Sequence, residues 1–531
     1  MKQLIILSFI AVALITAMSC NKLDQDRYGA EVPVTQYYKT LEQCNTSVQQ
    51  AYSLVDYNTW WEMGNWRFLS GEAASDNGWT GNTYQDTHPF YNAVAEYTLN
   101  SSNDRNEAQW IQLYKSIGRF NSMIEGIEGA PIDENSKKQF LSELKFLRAW
   151  CYFSLVRDYG GVPLVLKVYP PDTHLPRSTR KEVYDQVIAD LLEASSVLPK
   201  KSAYPAADKF RASSGAAWTL LAKTYLYVED WQNAEKAANM VITSGEYDLE
   251  PFFGTLWGYD YKNGQESVFE IQFGSSAISS PNYIHNDFIK MLDSRAYGGW
   301  SYYTLSSDLE NAFKSEADSI RLQWTMNRHG MPVAGDPDRP KFNAEPWPNN
   351  GVRPSSKSGR HSRKHYVPVA DKPANGLPSL NDKILRFADV LLIHAEACAM
   401  QPGKEAQALA SLKRVRDRVD LTTNMSLTGW NLIDAVRKER RLELAFEGDR
   451  LYDIRRWKDQ SGQPVINRIL GPNGSFVTYN TKESTDVWEK NNVYEPQNKG
   501  ANFNPSIHLV WPIPNSQIII SEGAIEQNPG Y

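Results

Sequence analysis

Trp218-Thr219-Leu220-Leu221-Ala222-Lys223-Thr224-Tyr225, with Ala234 nine residues on, is the stretch that decides the fold. Trp218, Leu221, Ala222 and Tyr225 stand at W-x2-L-A-x2-Y spacing, and Ala234 sits where a tetratricopeptide hairpin places the small residue of its second helix. Small residues there let antiparallel helices approach closely. A second segment, Phe387–Met400 followed by Glu405–Arg418, repeats the pattern more loosely, with Ala388, Leu391, Ala395, Ala408 and Leu412 on its packing faces. Two such matches predict a partial solenoid.

Working outward, amphipathic helices are predicted over Gln36–Val55, Trp110–Ile127, Ser136–Tyr159, Lys181–Leu198, Ala212–Glu229 and Trp231–Thr243. In the third, Phe140, Leu144, Leu147, Cys151 and Leu155 recur every three or four residues, and Gly160-Gly161 stops the helix. From Tyr247 to Trp300 the helical period gives way to Gly, Ser, Pro and β-formers, and Ser267–Phe273 alternates like a strand. Met331–Leu380 reads as long loops with short strands. The fold class expected is mainly α: a tetratricopeptide-like helical scaffold carrying irregular loop and short-strand insertions. The corresponding divisions are 1–19, an export signal; 20–245, an N-terminal helical region; 246–385, a loop-rich insertion facing ligand; and 386–531, a C-terminal helical region.

Composition narrows the function. The 531 residues are 41% hydrophobic and 22% charged with a net charge of −6, which excludes a disordered chain and gives no electrostatic drive toward nucleic acid. Aromatics reach 12%, more than a core demands, so some rings are expected to face a ligand or partner. Lys2 and the apolar run Leu4–Ala17 form an export signal too short to span a bilayer. No later run approaches membrane-spanning length, so a soluble mature body is expected. Ala17-Met18-Ser19-Cys20, followed by polar residues, resembles a bacterial lipobox with Cys20 as the lipidated first residue; a plain secretory cut near Ala17 or Ser19 is the alternative. Cys44, Cys151 and Cys398 lie among apolar helix residues and are expected to be buried free thiols.

The segment Glu439-Arg440-Arg441-Leu442-Glu443-Leu444-Ala445-Phe446-Glu447-Gly448-Asp449-Arg450-Leu451-Tyr452-Asp453-Ile454-Arg455-Arg456-Trp457 resembles the hallmark helix and turn of the SusD/RagB family of outer-membrane nutrient-binding lipoproteins. Four further segments agree in order: Trp110–Tyr114 leading to Asn121; Phe146–Trp150 running to Asp158-Tyr159-Gly160-Gly161-Val162-Pro163; Arg386–Leu392 before Ala395-Glu396-Ala397; and Trp511-Pro512-Ile513-Pro514 through Gln527–Tyr531. The resemblance implies a lipid anchor at the external face of the outer membrane. It implies a TonB-dependent SusC-type barrel transporter as partner, and usually an oligosaccharide as ligand. It implies no cofactor, and nothing in the residues supports calcium.

Glu439, Glu443 and Glu447 share one helical face with Asp449 and Asp453 close behind, a row suited to acid/base work or a cation. Five neighbouring arginines favour an ion-paired structural network instead. Enzyme signals are thin: there is no G-x-S-x-G, H-E-x-x-H, phosphate loop or dinucleotide pattern. His394-Ala395-Glu396 lacks the P-C-x-x-C of zinc deaminases and reads as an ordinary helix histidine. His361 and His365 read as a solvated turn rather than a metal site. The expected activity is therefore binding, not catalysis. Glu72–Tyr97 gathers Asp76, Asn77, Trp79 and Tyr84 among glycines, and Tyr297, Trp300, Tyr302 and Tyr303 surround Gly298 and Gly299. Rings beside Asp and Asn suit both the C–H face and the hydroxyl rim of a sugar. These eight residues are the expected ligand contacts; only Asp76, in Ala74-Ser75-Asp76-Asn77, matches the family by position. A lid that binds peptides or nothing, and a glycan-cleaving enzyme, remain the alternatives.

Overall fold

A computed structural model of the chain describes residues 37–55, 63–80, 89–273, 288–343, 356, 358–372, 380–476 and 500–531. The 1–19 segment, Cys20 and Tyr84 lie outside the described residues.

Most of the helices before the insertion start at side-chain caps, whereas those from Phe387 onward do not. The helices are α1 (Leu41–Ser53), α2 (Asp104–Glu128), α3 (Glu134–Tyr159), α4 (Arg180–Val197), α5 (Ser214–Tyr227), α6 (Trp231–Ile242), α7 (Ser307–Ser315), α8 (Phe387–Ala399), α9 (Glu405–Asp417), α10 (Gly429–Glu443) and the short α11 (Arg450–Arg456). Thr40 and Thr179 close capping boxes with Gln43 and Glu182, while Asn103, Asp133, Ser213 and Asp230 accept first-turn N–H groups. Gly160, at φ +74°, ends α3 in a backbone conformation that disfavours other residues.

The helices stack in sequence: α2 on α3, α3 on α4, α4 on α5, α5 on α6, α6 on α8, and α8 on both α9 and α10. Ala216, Ala217, Ala222, Ala234, Ala237 and Ala238 are buried where α5 meets α6, as the repeat spacing predicts. Helix α8 is buried almost all round and forms the spine of the C-terminal half. The expected strand is β2 (Ser267–Ile271), which pairs antiparallel with β6 (Asp382–Arg386) and so joins the two ends of the insertion. Two further ribbons, β1 (Gly78–Thr80) with β3 (Tyr303–Leu305) and β4 (Met326–Arg328) with β5 (Arg360–Ser362), complete the strands among the described residues.

The glutamate row is a buried ion-pair network. Glu439 meets Arg321 and Arg416; Glu443 meets Arg321, Arg386 and Arg418; Glu447 meets Lys364 and Arg386; Asp449 meets Arg157, Lys223 and Arg440; Asp453 meets Arg440 and Arg456. Burial alone would raise the Glu443 carboxyl, yet its three arginines hold it well below the ordinary range. Other quoted motifs meet nearby. Asp158 accepts from Trp66 Nε1 at 2.9 Å and Tyr452 OH at 2.7 Å, its backbone oxygen takes the Trp511 N–H, and Arg148 grips Asp190 through both carboxylate oxygens. Cys44, Cys151 and Cys398 are buried and none is in a disulfide, as expected.

The pair His361 and His365 departs from the expectation of a solvated turn. His361 lies in β5 with its Nδ1 3.0 Å from the Leu292 carbonyl, and His365 Nδ1 lies 2.9 Å from Ser362 Oγ. Both are buried, and burial pushes the His361 imidazole down to about 4. Hydrophobic neighbours more than sixty residues away in sequence, such as Phe68 against His365, enclose the segment, which local composition does not reveal.

Candidate functional site

A π-helical turn over Leu69–Ala73 leads into Asp76-Asn77 and then into β1. Gly78 fits only because it has no side chain: a Cβ there would lie 2.8 Å from the Phe446 ring and 2.9 Å from the Thr304 carbonyl. The loop before the strand is fastened to the glutamate-rich segment. Arg450 donates from Nε and Nη2 to the two Asp76 oxygens at 2.7 and 2.8 Å, and Arg441 Nη2 lies 3.2 Å from the same carboxylate. Arg441 Nε also donates to Asn77 Oδ1 at 2.9 Å. Glu72 accepts the Gly448 N–H at 2.7 Å and the Asn77 side-chain amide at 3.1 Å. Its burial raises the carboxyl from 4.5 to about 7 against the lowering effect of these donors.

Two of the expected ligand contacts are thereby reassigned. Asp76 and Asn77 are 3% and 1% exposed, and their polar atoms are spent on Arg450, Arg441 and Glu72, so they position β1 rather than face a ligand. Tyr303 is a third: it is fully buried in β3, with its ring centroid 6.2 Å from that of Tyr91. All three residues of β3 are buried, so Tyr303 fills the core together with Leu305.

The remaining rings come together from segments more than two hundred residues apart. Antiparallel pairing sets Thr80 opposite Tyr303 and Trp79 opposite Thr304, so Trp79 enters the ribbon that starts one residue after Tyr302. Tyr302 lies 5.4 Å from Tyr91 and 5.7 Å from Trp300, both at tilted angles. Trp79, Trp300 and Tyr302 are half-buried, each with one side on the main core. Phe90, beside Tyr91, is exposed. The Trp300–Tyr302 segment is held by the short helix Phe288–Leu292: Tyr302 N–H donates to the Met291 carbonyl at 2.7 Å, and Ser301 N–H to that of Asp293 at 3.0 Å. Gly299 permits this approach, because a Cβ would lie 2.3 Å from the Asp293 carbonyl oxygen.

Tyr297 belongs to a different cluster. Its hydroxyl accepts the Asn343 N–H, its ring packs against Phe342 with centroids 5.3 Å apart, and the Arg339 guanidinium covers it at 3.3 Å. It is a stacking platform already in use. Tyr84, the last of the eight, lies outside the described residues.

Trp79, Trp300 and Tyr302 are partly buried on segments that the β1–β3 ribbon brings side by side, and such rings are suited to holding a flat, partly apolar molecule. The SusD family profile matches residues 265–531, half of the chain. The chain belongs to the SusD family. A second profile, described as starch-binding associating with outer membrane, matches residues 21–226 of this SusD-family protein. It is 26% identical over 550 residues to SusD-like protein P2 of Formosa agariphila, covering 98% of each chain, and 27% identical over 395 residues to a SusD-like protein of Bacteroides ovatus, covering 69% of this chain and 68% of that one. Among solved structures, a laminarin binding SusD-like protein superposes with TM-score 0.73 at 24% identity, covering 93% of this chain and 100% of that one. A SusD homolog from Bacteroides thetaiotaomicron gives 0.73 at 21% identity, covering 94% and 99%. These likenesses establish a shared SusD fold.

Proposed function

We propose that this SusD-family protein is a cell-surface, lipid-anchored glycan-binding protein that captures oligosaccharides and hands them to a TonB-dependent SusC-type barrel without breaking a bond. The observation that supports the reading is the β1–β3 ribbon, which pairs the strand of Trp79 with the strand that follows Trp300 and Tyr302, all three residues being partly buried. Sugar C–H faces stack on such rings, and the lost water contact favours association. The starch-binding description of the N-terminal profile and the laminarin binding named for a structural neighbour support carbohydrate as the cargo class. Affinity is expected to be modest, because a site that never releases cannot supply a transporter. Acylation at Cys20 would hold the polar body at the membrane, each buried methylene adding about 0.8 kcal/mol.

Affinity electrophoresis against a panel of polysaccharides, with assay of released reducing ends, tests the reading. Retardation by at least one glycan without new reducing ends is the expected result. Product release would replace binding with catalysis, and mobility unchanged across the panel would remove the glycan assignment.

A further inference from the structure

We propose that Glu235, His394 and Cys398 form a zinc-type transition-metal site that ties α6 to α8, apart from the ring surface. His394 and Cys398 are one helical turn apart on α8, and Glu235 reaches them from α6. One ligand atom from each lies within 4.8 Å of the others. Cys398 Sγ is 3.6 Å from His394 Nε2. A tetrahedral ion with Zn–S of about 2.3 Å and Zn–N of about 2.0–2.1 Å separates its sulfur and nitrogen ligands by about 3.6 Å. Sγ is also 3.8 Å from Nδ1, so the sulfur stands at coordination spacing from Nε2 but beside the ring, and turning the imidazole toward Cys398 while drawing the Glu235 carboxylate in by roughly 1 Å would complete the set by side-chain rotation.

The surroundings are those of a ligand set. His394 Nδ1 lies 2.9 Å from Ser411 Oγ on α9, which commits that nitrogen and leaves Nε2 for an ion. Lys404 Nζ and Gln401 Nε2 hold the two Glu235 oxygens at 2.6 and 2.9 Å, orienting a carboxylate whose remaining lone pairs stay available. Nitrogen, thiolate and one carboxylate select zinc-like ions over calcium or magnesium. Access runs along the Lys404–Glu235 edge, since the Lys404 side chain is 37% exposed, while Cys398 closes the inner side. Binding converts the Cys398 thiol to a thiolate on the ion and releases one proton to solvent. As a clamp, the ion would join the helical regions before and after the insertion.

Cobalt(II) added to the tag-free, reduced, full-length protein at pH 8 tests the site. One equivalent should produce a near-ultraviolet thiolate-to-cobalt band that zinc bleaches. Cys398→Ser should abolish the band, Cys44→Ser and Cys151→Ser should keep it, and Glu235→Gln should weaken cobalt affinity about tenfold. In the wild type, zinc should also shield Cys398 from alkylation, read by mass spectrometry. No band in the wild type, a band that survives Cys398→Ser, or Cys398 alkylation indifferent to zinc would each overturn the proposal.

Discussion

Trp79, Trp300 and Tyr302 do different work from the residues beside them, and exposure separates the two groups. Each presents part of a ring while its other side rests on the core. Trp79→Ala and Trp300→Ala should each weaken glycan retention by about 0.5–1.5 kcal/mol, or roughly two- to twelvefold, with the melting temperature little changed. Affinity electrophoresis of both variants checks this, and wild-type retention in both would remove the ring surface as the site. These rings stand out in the sequence because Trp and Tyr among glycines are unusual enough to read locally, and the structure leaves all three partly buried. Asp76 was not legible: its partner Arg450 stands 374 residues away, so its charge is answered by a group no local window contains. His394 reads from sequence as an ordinary helix residue, and it lies in α8 with Nδ1 2.9 Å from Ser411 Oγ.

Short elements carry the site, and buried charge holds them. Truncating Asp76 leaves Arg450 and Arg441 buried beside a void, so Asp76→Ala should destabilise the fold by about 3–5 kcal/mol and lower glycan binding by displacing β1. Thermal denaturation should show the loss even without glycan; a wild-type melting curve would contradict the anchoring role. Glu72 gives a pH signature of the same anchor. Its folded-state carboxyl lies near 7 against an ordinary 4.5, so the folded state binds more protons between those values and this group's stabilisation falls as pH rises through that window. The span corresponds to about 3 kcal/mol at most. Glu72→Gln should therefore compare more favourably with wild type at pH 8 than at pH 5, measured as the difference in melting temperature; a constant difference would contradict it. Most helix ends were predictable to within two residues because caps and periodicity are local, but α2 starts at Asp104, six residues before the expected Trp110, and α1 at Leu41, five after the expected Gln36. The β1–β3 ribbon was not predictable, since three-residue strands separated by more than two hundred positions leave no periodic signal.

For the whole molecule, helices α2–α6 and α8–α10 form a continuous stack, and the insertion closed by β2 and β6 pairs the strand after Trp300 and Tyr302 with a strand from the N-terminal region. Repeat spacing made the stack legible, whereas its assembly with the loops depends on Glu443, Glu447 and Asp449 finding cations from across the chain. Lipid anchoring belongs to this scale: Cys20→Ser should move the protein from the membrane fraction to the soluble fraction, and continued acylation would contradict the tether. The most direct test of the central claim is a calorimetric titration of wild type and of the Trp79→Ala/Trp300→Ala double variant with an oligosaccharide from the polysaccharide that retards the wild type. The account predicts saturable binding by the wild type and at least a tenfold loss in a double variant that melts normally. Equal affinities for the two proteins would contradict it.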